Sequence, residues 1–263
     1  MRKLEGKVAI ITGASKGIGE GISRVFAKYG AKLVLAARSE RVLAFAKELT
    51  AEGYEAIGVQ TDVRDTSSTN ALVEAAVMQY GTIDILVNNA GVCILGDLLA
   101  CSDDDRDYHI DINIKGVWNV TKAAVPYMIE KKEGRIVIMS SVTGDMVADP
   151  GEAAYATTKA ALVGFTKAMA RELAVYNITV NAICPGYVRT PLVEGMAAQS
   201  CPENPESVID EIASSVPLKR LAQPDEIGEL AAFLSCYESS YITGAQIVID
   251  GGSTLPETAT MGV

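Results

Sequence analysis

Residues Val8 to Gly19 read Val-Ala-Ile-Ile-Thr-Gly-Ala-Ser-Lys-Gly-Ile-Gly. The short apolar run Val8–Ile11 has the length and bounds of a buried strand, and it runs straight into three glycines, Gly13, Gly17 and Gly19. Beyond them Ile18, Ile22, Val25 and Phe26 recur at helical spacing. Glycine lets the backbone turn sharply and brings the main chain close to a bulky anion. A helix starting at such a turn presents unsatisfied N–H groups and the positive end of its dipole, which suits a pyrophosphate. The spacing is G-x-x-x-G-x-G, not the commoner G-x-G-x-x-G. An ordinary strand–turn–helix corner is the competing reading.

The corner opens a repeated pattern. Strand-like runs recur at Val8–Ile11, Lys32–Ala36, Ala56–Gln60, Ile83–Val87, Arg135–Met139, Thr179–Ile183 and Gln246–Ile249, with helix-length segments between them. Strand–helix alternation of this kind predicts an α/β fold: a doubly wound, parallel, seven-stranded sheet with helices on both faces. A chain of 263 residues, 49% hydrophobic, is ample for one core, so residues 1–263 are expected to form a single domain. One stretch breaks the pattern. Residues 190–217 carry Pro191, Pro202, Pro205 and Pro217, which predicts a short helix at Leu192–Gln199 within a mobile substrate flap. Residues 254–263 are expected to be a C-terminal tail.

Tyr155 and Lys159 stand four residues apart in a run of helical composition, and Ser141 lies fourteen residues before Tyr155. Four residues is about one helical turn, so phenol and ammonium project from one face. An ammonium beside a phenol favours the phenolate, so Lys159 is expected to help bring Tyr155 toward use as a proton donor or acceptor near neutral pH. Ser141 follows the strand Arg135–Met139 and so lies where ligands bind in open α/β sheets, with Ser140 as the neighbouring alternative.

Together with Asn88-Asn-Ala-Gly91, Asn113 and Pro185-Gly186, these motifs occur in the order and spacing of the short-chain dehydrogenase/reductase family, and the chain resembles its single-domain branch. Three stretches, beginning at Ser102, Ser141 and Ile249, narrow the resemblance to one bacterial oxidoreductase within it. The resemblance implies a Rossmann-type fold, a nicotinamide dinucleotide as coenzyme and a carbonyl or secondary alcohol as substrate. It implies that Asn113, Ser141, Tyr155 and Lys159 are catalytic: Tyr155 exchanges a proton with the substrate oxygen, Ser141 donates to that oxygen, and Lys159 also holds the nicotinamide ribose. Asn113 would distort its helix and hold a water that links Lys159 to solvent. Coenzyme contacts are implied at Gly13, Ser15, Lys16, Gly17, Ile18 and Gly19 in the turn, and at Asp62 and Val63 beside the adenine. Further contacts are implied at Asn89, Ala90 and Gly91, and at Pro185, Gly186, Val188 and Thr190 around the carboxamide.

The choice of dinucleotide rests on the end of the second strand, Leu35-Ala-Ala-Arg-Ser. An acid at that point would hold a ribose 2′-hydroxyl, whereas an arginine accommodates a 2′-phosphate. Arg38 stands there without an acid at the strand tip, and Lys16 lies in the glycine loop. The expectation is NADP(H), with NAD(H) as the alternative.

Other chemistries are poorly served. His109 is the single histidine, and the five cysteines lack C-x-x-C spacing, which argues against a metal site, a disulfide framework and a Ser–His–acid hydrolase. A formal charge of −10 disfavours nucleic acid and anionic membrane surfaces, and no apolar run reaches the length of a membrane span. The expected setting is cytoplasmic. Ser102 with the acids after it reads as a capped helix N-terminus. Substrate contacts are expected from residues 142–151, Tyr187 and the flap, in a largely apolar pocket with Met146, Val147, Pro150 and Leu192. Arg189 is either an anion contact or a solvated loop residue. The family resemblance implies a homotetramer built on the helices at 104–131 and 155–176; Val117, Val120, Leu162 and Phe165 could serve that interface or the core. Two rival readings are a dinucleotide-binding regulator without turnover and an epimerase or dehydratase with bound coenzyme.

Overall fold

The computed structural model describes residues 3–255. Seven parallel strands form one sheet: β1 (Val8–Thr12), β2 (Lys32–Ala37), β3 (Ala56–Gln60), β4 (Ile85–Asn88), β5 (Gly134–Met139), β6 (Ile178–Pro185) and β7 (Gln246–Ile249). Their spatial order is β3-β2-β1-β4-β5-β6-β7. β1 therefore pairs with β2 on one side (Ile10↔Val34) and with β4 on the other (Ile10↔Leu86). Connections leave β1 and β4 in opposite directions along the sheet, which opens a crevice beyond their carboxyl ends.

Helices cover both faces, and each strand alternates between them. Ala9 and Ile11 pack beneath α1 (Gly17–Lys28), α2 (Arg41–Ala51) and α9 (Pro224–Ser235), against Ile22, Phe26, Phe45 and Ile227. Val8 and Ile10 pack on the opposite face beneath α3 (Thr66–Tyr80), α5 (Val117–Lys131) and α6 (Ala153–Leu173), against Leu72, Val120 and Leu162. Burial on both faces is why these strands read as unbroken apolar runs.

Two regions differ from expectation. The helix expected across 104–131 is three pieces: α4 (Asp103–His109), a π-helical segment (Ile110–Gly116) and α5. Ser102 caps α4 by accepting from the Asp105 N–H at 3.0 Å, as its position before three acids predicts. Residues 190–217 hold two helices, α7 (Pro191–Ser200) and α8 (Pro205–Ser215). Pro191 and Pro205 do not interrupt helices but begin them, after the caps Thr190 and Asn204. Proline is suited to the first helical position because its missing N–H would be unsatisfied there anyway. Of the four apolar residues considered for a subunit interface, Val117, Val120 and Leu162 are buried in the chain's own core. Phe165 is half-buried and stacks on the more exposed Trp118, with ring centroids 5.4 Å apart. Of the expected tail at 254–263, residues 256–263 lie outside the described residues. Thr254 is tied to Asp250 through its N–H and its hydroxyl, both 2.8 Å from Asp250 Oδ2.

The glycine corner is close-packed. A Cβ on Gly19 would sit 2.2 Å from the Gly13 carbonyl oxygen and 2.6 Å from Asn89 Nδ2. Gly19→Ala should therefore cost about 1–3 kcal/mol of overpacking strain and lower Tm by about 3–10 °C for a chain of this size. A thermal melt of the variant, compared with Gly195→Ala where a Cβ meets open space, checks this.

Candidate active site

The turn after β1 is held from below by β4. The Thr12 hydroxyl donates to the Val87 carbonyl at 3.3 Å and accepts from the N–H groups of Asn89 and Ala90 at 3.0 and 3.1 Å. Asn89 returns its amide to the carbonyls of Thr12 and Gly13 at 3.0 and 3.3 Å. Gly13 and Gly17 have positive φ, 65° and 59°, which a side chain would oppose. Helix α1 has no side-chain cap at Lys16, so its first N–H groups remain available to an anion. Above this corner lies a cavity of about 550 Å³.

Most of the residues expected to bind coenzyme line that cavity: Gly13, Ser15, Lys16, Gly17, Ile18, Arg38, Val63, Asn89, Ala90, Gly91, Pro185, Gly186, Val188 and Thr190. Ser141, Tyr155 and Lys159 line it as well. Three expected residues do not. Gly19 lies beneath the turn as described. Asp62, expected to accept from an adenine amine, is clasped by Arg64, whose Nε lies 3.0 Å from Oδ1 and whose Nη2 also bonds Oδ2. Arg64 holds that carboxyl below its ordinary range. Asn113 sits behind the cavity wall, in the π-helical segment.

Asn113 is fully buried, and its side chain is engaged on all sides. Its Oδ1 accepts from the Val92 N–H at 2.9 Å, while its amide donates to the Val92 carbonyl at 3.0 Å and to Thr158 Oγ1 at 2.9 Å. It thus pins the chain leaving β4 to α6. Asn113 Oδ1 and Lys159 Nζ flank Gly91, 3.4 and 3.5 Å from where a Cβ there would stand.

Ser140 and Ser141 divide their roles. The Ser140 hydroxyl is buried and donates to the Lys159 carbonyl at 2.8 Å, fixing α6 to β5. Ser141 accepts from the Thr143 N–H at 3.1 Å and directs its hydroxyl at the Tyr155 phenol, where it opposes the rise in that group's pKa. Lys159 is buried, donates to the Met139 carbonyl at 2.8 Å, and has Nζ 5.5 Å from the centre of the Tyr155 ring.

The electrostatics correct one expectation. Burial drives the Tyr155 phenol well above its ordinary value of 10, and the Ser141 hydrogen bond only partly opposes this. Lys159 does not draw the phenol down; it is itself lowered by burial, to about 8. A desolvated ammonium bonded to a carbonyl cannot by itself overcome the cost of placing a phenolate in the same apolar wall. Tyr155 is therefore a protonated phenol, suited to donating.

Several lining or neighbouring residues escaped sequence reasoning. Tyr108 receives a 2.6 Å hydrogen bond from Arg38 Nη1, and both Arg38 and Arg64 lie over its ring. Arg41 donates from Nε to the Ser15 carbonyl at 2.7 Å. Thr61, Ile94 and Glu152 line the cavity. None belongs to a short motif, and their positions depend on the tertiary arrangement. The substrate end is less apolar than expected: Leu192, Val193 and Met196 line it, but so do Thr143, Glu152 and Tyr187. Met146, Val147 and Pro150 are not among the lining residues. Arg189 is held by Glu206 in two bonds of 2.9 and 3.0 Å, with Glu194 at 3.6 Å, and is not free for an anion.

His109 is fully buried as a packing group. Its Nε2 accepts from the Ile94 N–H at 3.1 Å and its Nδ1 donates to the Asp105 carbonyl at 2.7 Å. Burial pushes the Cys93 thiol up to about 12, which removes it as a nucleophile. Among the described residues, no cluster of His, Cys, Asp and Glu could hold a metal, and no helix is long and apolar enough to cross a membrane.

The buried ammonium has a stability consequence of definite sign. Below about pH 8 the fold bears the full cost of the charged Lys159; above the ordinary lysine value of 10.5 it bears none. A lowering of this size corresponds to about 3 kcal/mol, offset by about 1 kcal/mol for the Met139 hydrogen bond. Lys159→Met should therefore raise Tm at pH 7 by about 4–8 °C, and the gain should shrink between pH 8 and 10. Thermal melts of both proteins across that range decide it.

Comparison with known proteins agrees with this fold. The family model described as Enoyl-(Acyl carrier protein) reductase matches residues 13–254. Over 263 residues, all of both chains, the sequence is 63% identical to Oxidoreductase UcpA of Escherichia coli O157:H7. It is 41% identical over 251 residues to the 3-oxoacyl-[acyl-carrier-protein] reductase FabG of Thermotoga maritima, covering 95% of this chain and 98% of that one. Among solved structures, levodione reductase superposes with a TM-score of 0.91 at 32% identity, over 95% of this chain and 98% of its own. A single-site variant of actinorhodin polyketide ketoreductase with NADPH gives 0.90 at 37% identity, with the same coverage.

Proposed function

Because the chain belongs to the short-chain dehydrogenase/reductase family, whose members bind nicotinamide coenzymes, we propose that this oxidoreductase is an NADP(H)-dependent carbonyl reductase, acting in reverse on secondary alcohols. The observation that carries the reading is the meeting of Ser141, Tyr155 and Lys159 in the same cavity that ends on the uncapped N-terminus of α1. The residues fit a dinucleotide: Gly13 and Gly17 leave the main chain bare where a Cβ would crowd Asn89 or Thr190, and Thr190, though it caps α7, keeps its hydroxyl proton to donate. Bound there, the coenzyme supplies or accepts the hydride.

The chain's own residues supply orientation and the proton. Ser141 and Tyr155 line one cavity with their hydroxyls within reach of each other, so a carbonyl oxygen seated beside both would receive two hydrogen bonds. Charge developing on that oxygen strengthens both bonds, which lowers the barrier. Tyr155 then gives up its proton, a step for which its raised pKa provides a fully protonated donor at neutral pH. Lys159, lowered to about 8 and fixed by Met139, lies close enough to stabilise the phenolate left behind. Its remaining N–H bonds would serve the coenzyme's ribose.

For the 2′-phosphate, Arg38 is exposed at the tip of β2, with Lys16 across the glycine turn. The Arg38 fork suits two phosphate oxygens, and Tyr108 holds it in place. The Asp62 carboxylate, close enough to interact with Arg38, is paired with Arg64. The same reading places the protein in the cytoplasm as a homotetramer.

Tyr155→Phe should lower kcat by about 10²–10⁴ while coenzyme Kd stays within about threefold, since the phenol works on the substrate side. Steady-state kinetics with fluorescence titration of the reduced coenzyme measure both, and a loss of binding alone would contradict the proton-donor role. Arg38→Asp should shift the NADP(H)/NAD(H) ratio of kcat/KM by about 10–100-fold toward NAD(H). An unmoved ratio would contradict the assignment of Arg38 to the 2′-phosphate and the NADP(H) preference drawn from it.

A further inference from the structure

Glu152 stands at the substrate end of the cavity, three residues before Tyr155, and is only 8% exposed. It occupies the position that would cap α6, yet its side chain makes no capping hydrogen bond. Its Oε1 lies 4.0 Å from the Cys93 thiol, and Oε2 has no hydrogen-bond partner at all. A buried carboxylate oxygen without a donor is costly, and most such atoms in folded proteins are paired. Burial and then the nearby Asp149 carboxylate raise its pKa; the Thr143 hydroxyl is near enough to oppose them but lies outside hydrogen-bond geometry, so Oε2 stays without a donor. Asp149 is in turn engaged by the Tyr187 hydroxyl at 3.2 Å.

The surroundings limit what can satisfy it. The lining cations Lys16 and Arg38 belong to the coenzyme end, and Lys159 is bonded to Met139. Arg189 is held by Glu206 and Glu194. An ionised carboxylate can only accept hydrogen bonds. Glu152 and Tyr155 line the same cavity, so a substrate whose carbonyl oxygen is held by Tyr155 can carry a donor to Glu152.

We propose that Glu152 is a specificity-determining residue that accepts a hydrogen bond from a substrate hydroxyl, so that the enzyme acts on hydroxylated ketones and aldehydes and on the matching diols, and discriminates against carbonyl compounds bearing a carboxylate. The inference rests on the carbonyl-reductase reading and extends it to a substrate class. A site built around a substrate hydroxyl rejects the analogue that lacks it far more strongly than an apolar pocket distinguishes one methylene.

The test uses matched pairs of ketones with three to eight carbons, each a 2-hydroxy or 3-hydroxy compound and its deoxy counterpart, together with the 2-oxo acid of similar size. Reduction is followed with both NADPH and NADH. The wild type should favour the hydroxylated member by at least about tenfold in kcat/KM. Glu152→Leu should reduce that preference to within about threefold, by loss on the hydroxylated member alone, with coenzyme Kd unchanged. Glu152→Gln, of the same shape and without the charge, should raise kcat/KM on the oxo acid by at least about fivefold. Deoxy ketones turned over as well as their hydroxylated partners by the wild type would overturn the proposal and leave the carbonyl-reductase reading intact. Equal losses on both members in Glu152→Leu, or an unmoved oxo-acid rate in Glu152→Gln, would make Glu152 a structural group only. Absence of turnover on every carbonyl and alcohol with either coenzyme would instead defeat the underlying reading.

Discussion

The hydroxyl of Thr12 couples the two strands between which everything functional is built. By donating to Val87 and accepting from Asn89 and Ala90, it locks the end of β1 to the exit of β4 at the point where the sheet's connections diverge. The glycine turn, the uncapped helix and the small residues Ala90 and Gly91 are all positioned by that junction. Asn89 closes it from the other side, filling the space that Gly13 and Gly19 leave by having no side chain. A dinucleotide cradle here is thus a consequence of how two parallel strands are stitched together, not of the glycines alone.

On the substrate side, desolvation governs the chemistry. Burial raises the acid and lowers the base: Tyr155 is kept protonated while Lys159 is brought to about 8. The two shifts favour proton donation to a reduced substrate. Oxidation of an alcohol needs the phenol to accept, and the positive charge of an oxidised nicotinamide is the natural source of the missing stabilisation. Asn113 contributes from behind, where a π-helical turn lets one side chain hold both backbone groups of Val92 and the Thr158 hydroxyl. These bonds tie the chain after β4 to α6, the helix that carries Tyr155 and Lys159.

The sheet was legible because its strands are buried on both faces: seven apolar runs separated by helix-length segments admit few other arrangements, and Ala56–Gln60 and Gln246–Ile249 coincide with β3 and β7. Boundaries drifted elsewhere, as at β4, where Ile83 and Asp84 precede the ladder. The residues of the turn and the Tyr155/Lys159 pair were legible from spacing. Side-chain partners were not. Asp62 reads as a free acid until Arg64 is seen to clasp it, and Arg189 reads as an anion contact until Glu206 holds it. Pro191 and Pro205 look like breakers, but each begins a helix, because a proline's effect depends on whether the N–H it lacks was needed. Glu152 belongs to no motif and gains meaning only from its burial and its unpartnered oxygen.

The central claim is that a dinucleotide lying on the turn after β1 delivers hydride to a carbonyl held by Ser141 and Tyr155. It is tested most directly by following the hydrogen itself, with reduced NADP deuterated on one face of nicotinamide C4 and mass spectrometry of the alcohol formed. The account predicts quantitative transfer of deuterium from a single face to the carbinol carbon. Alcohol formed without label from either face, or no alcohol formed while the coenzyme is bound, would contradict it.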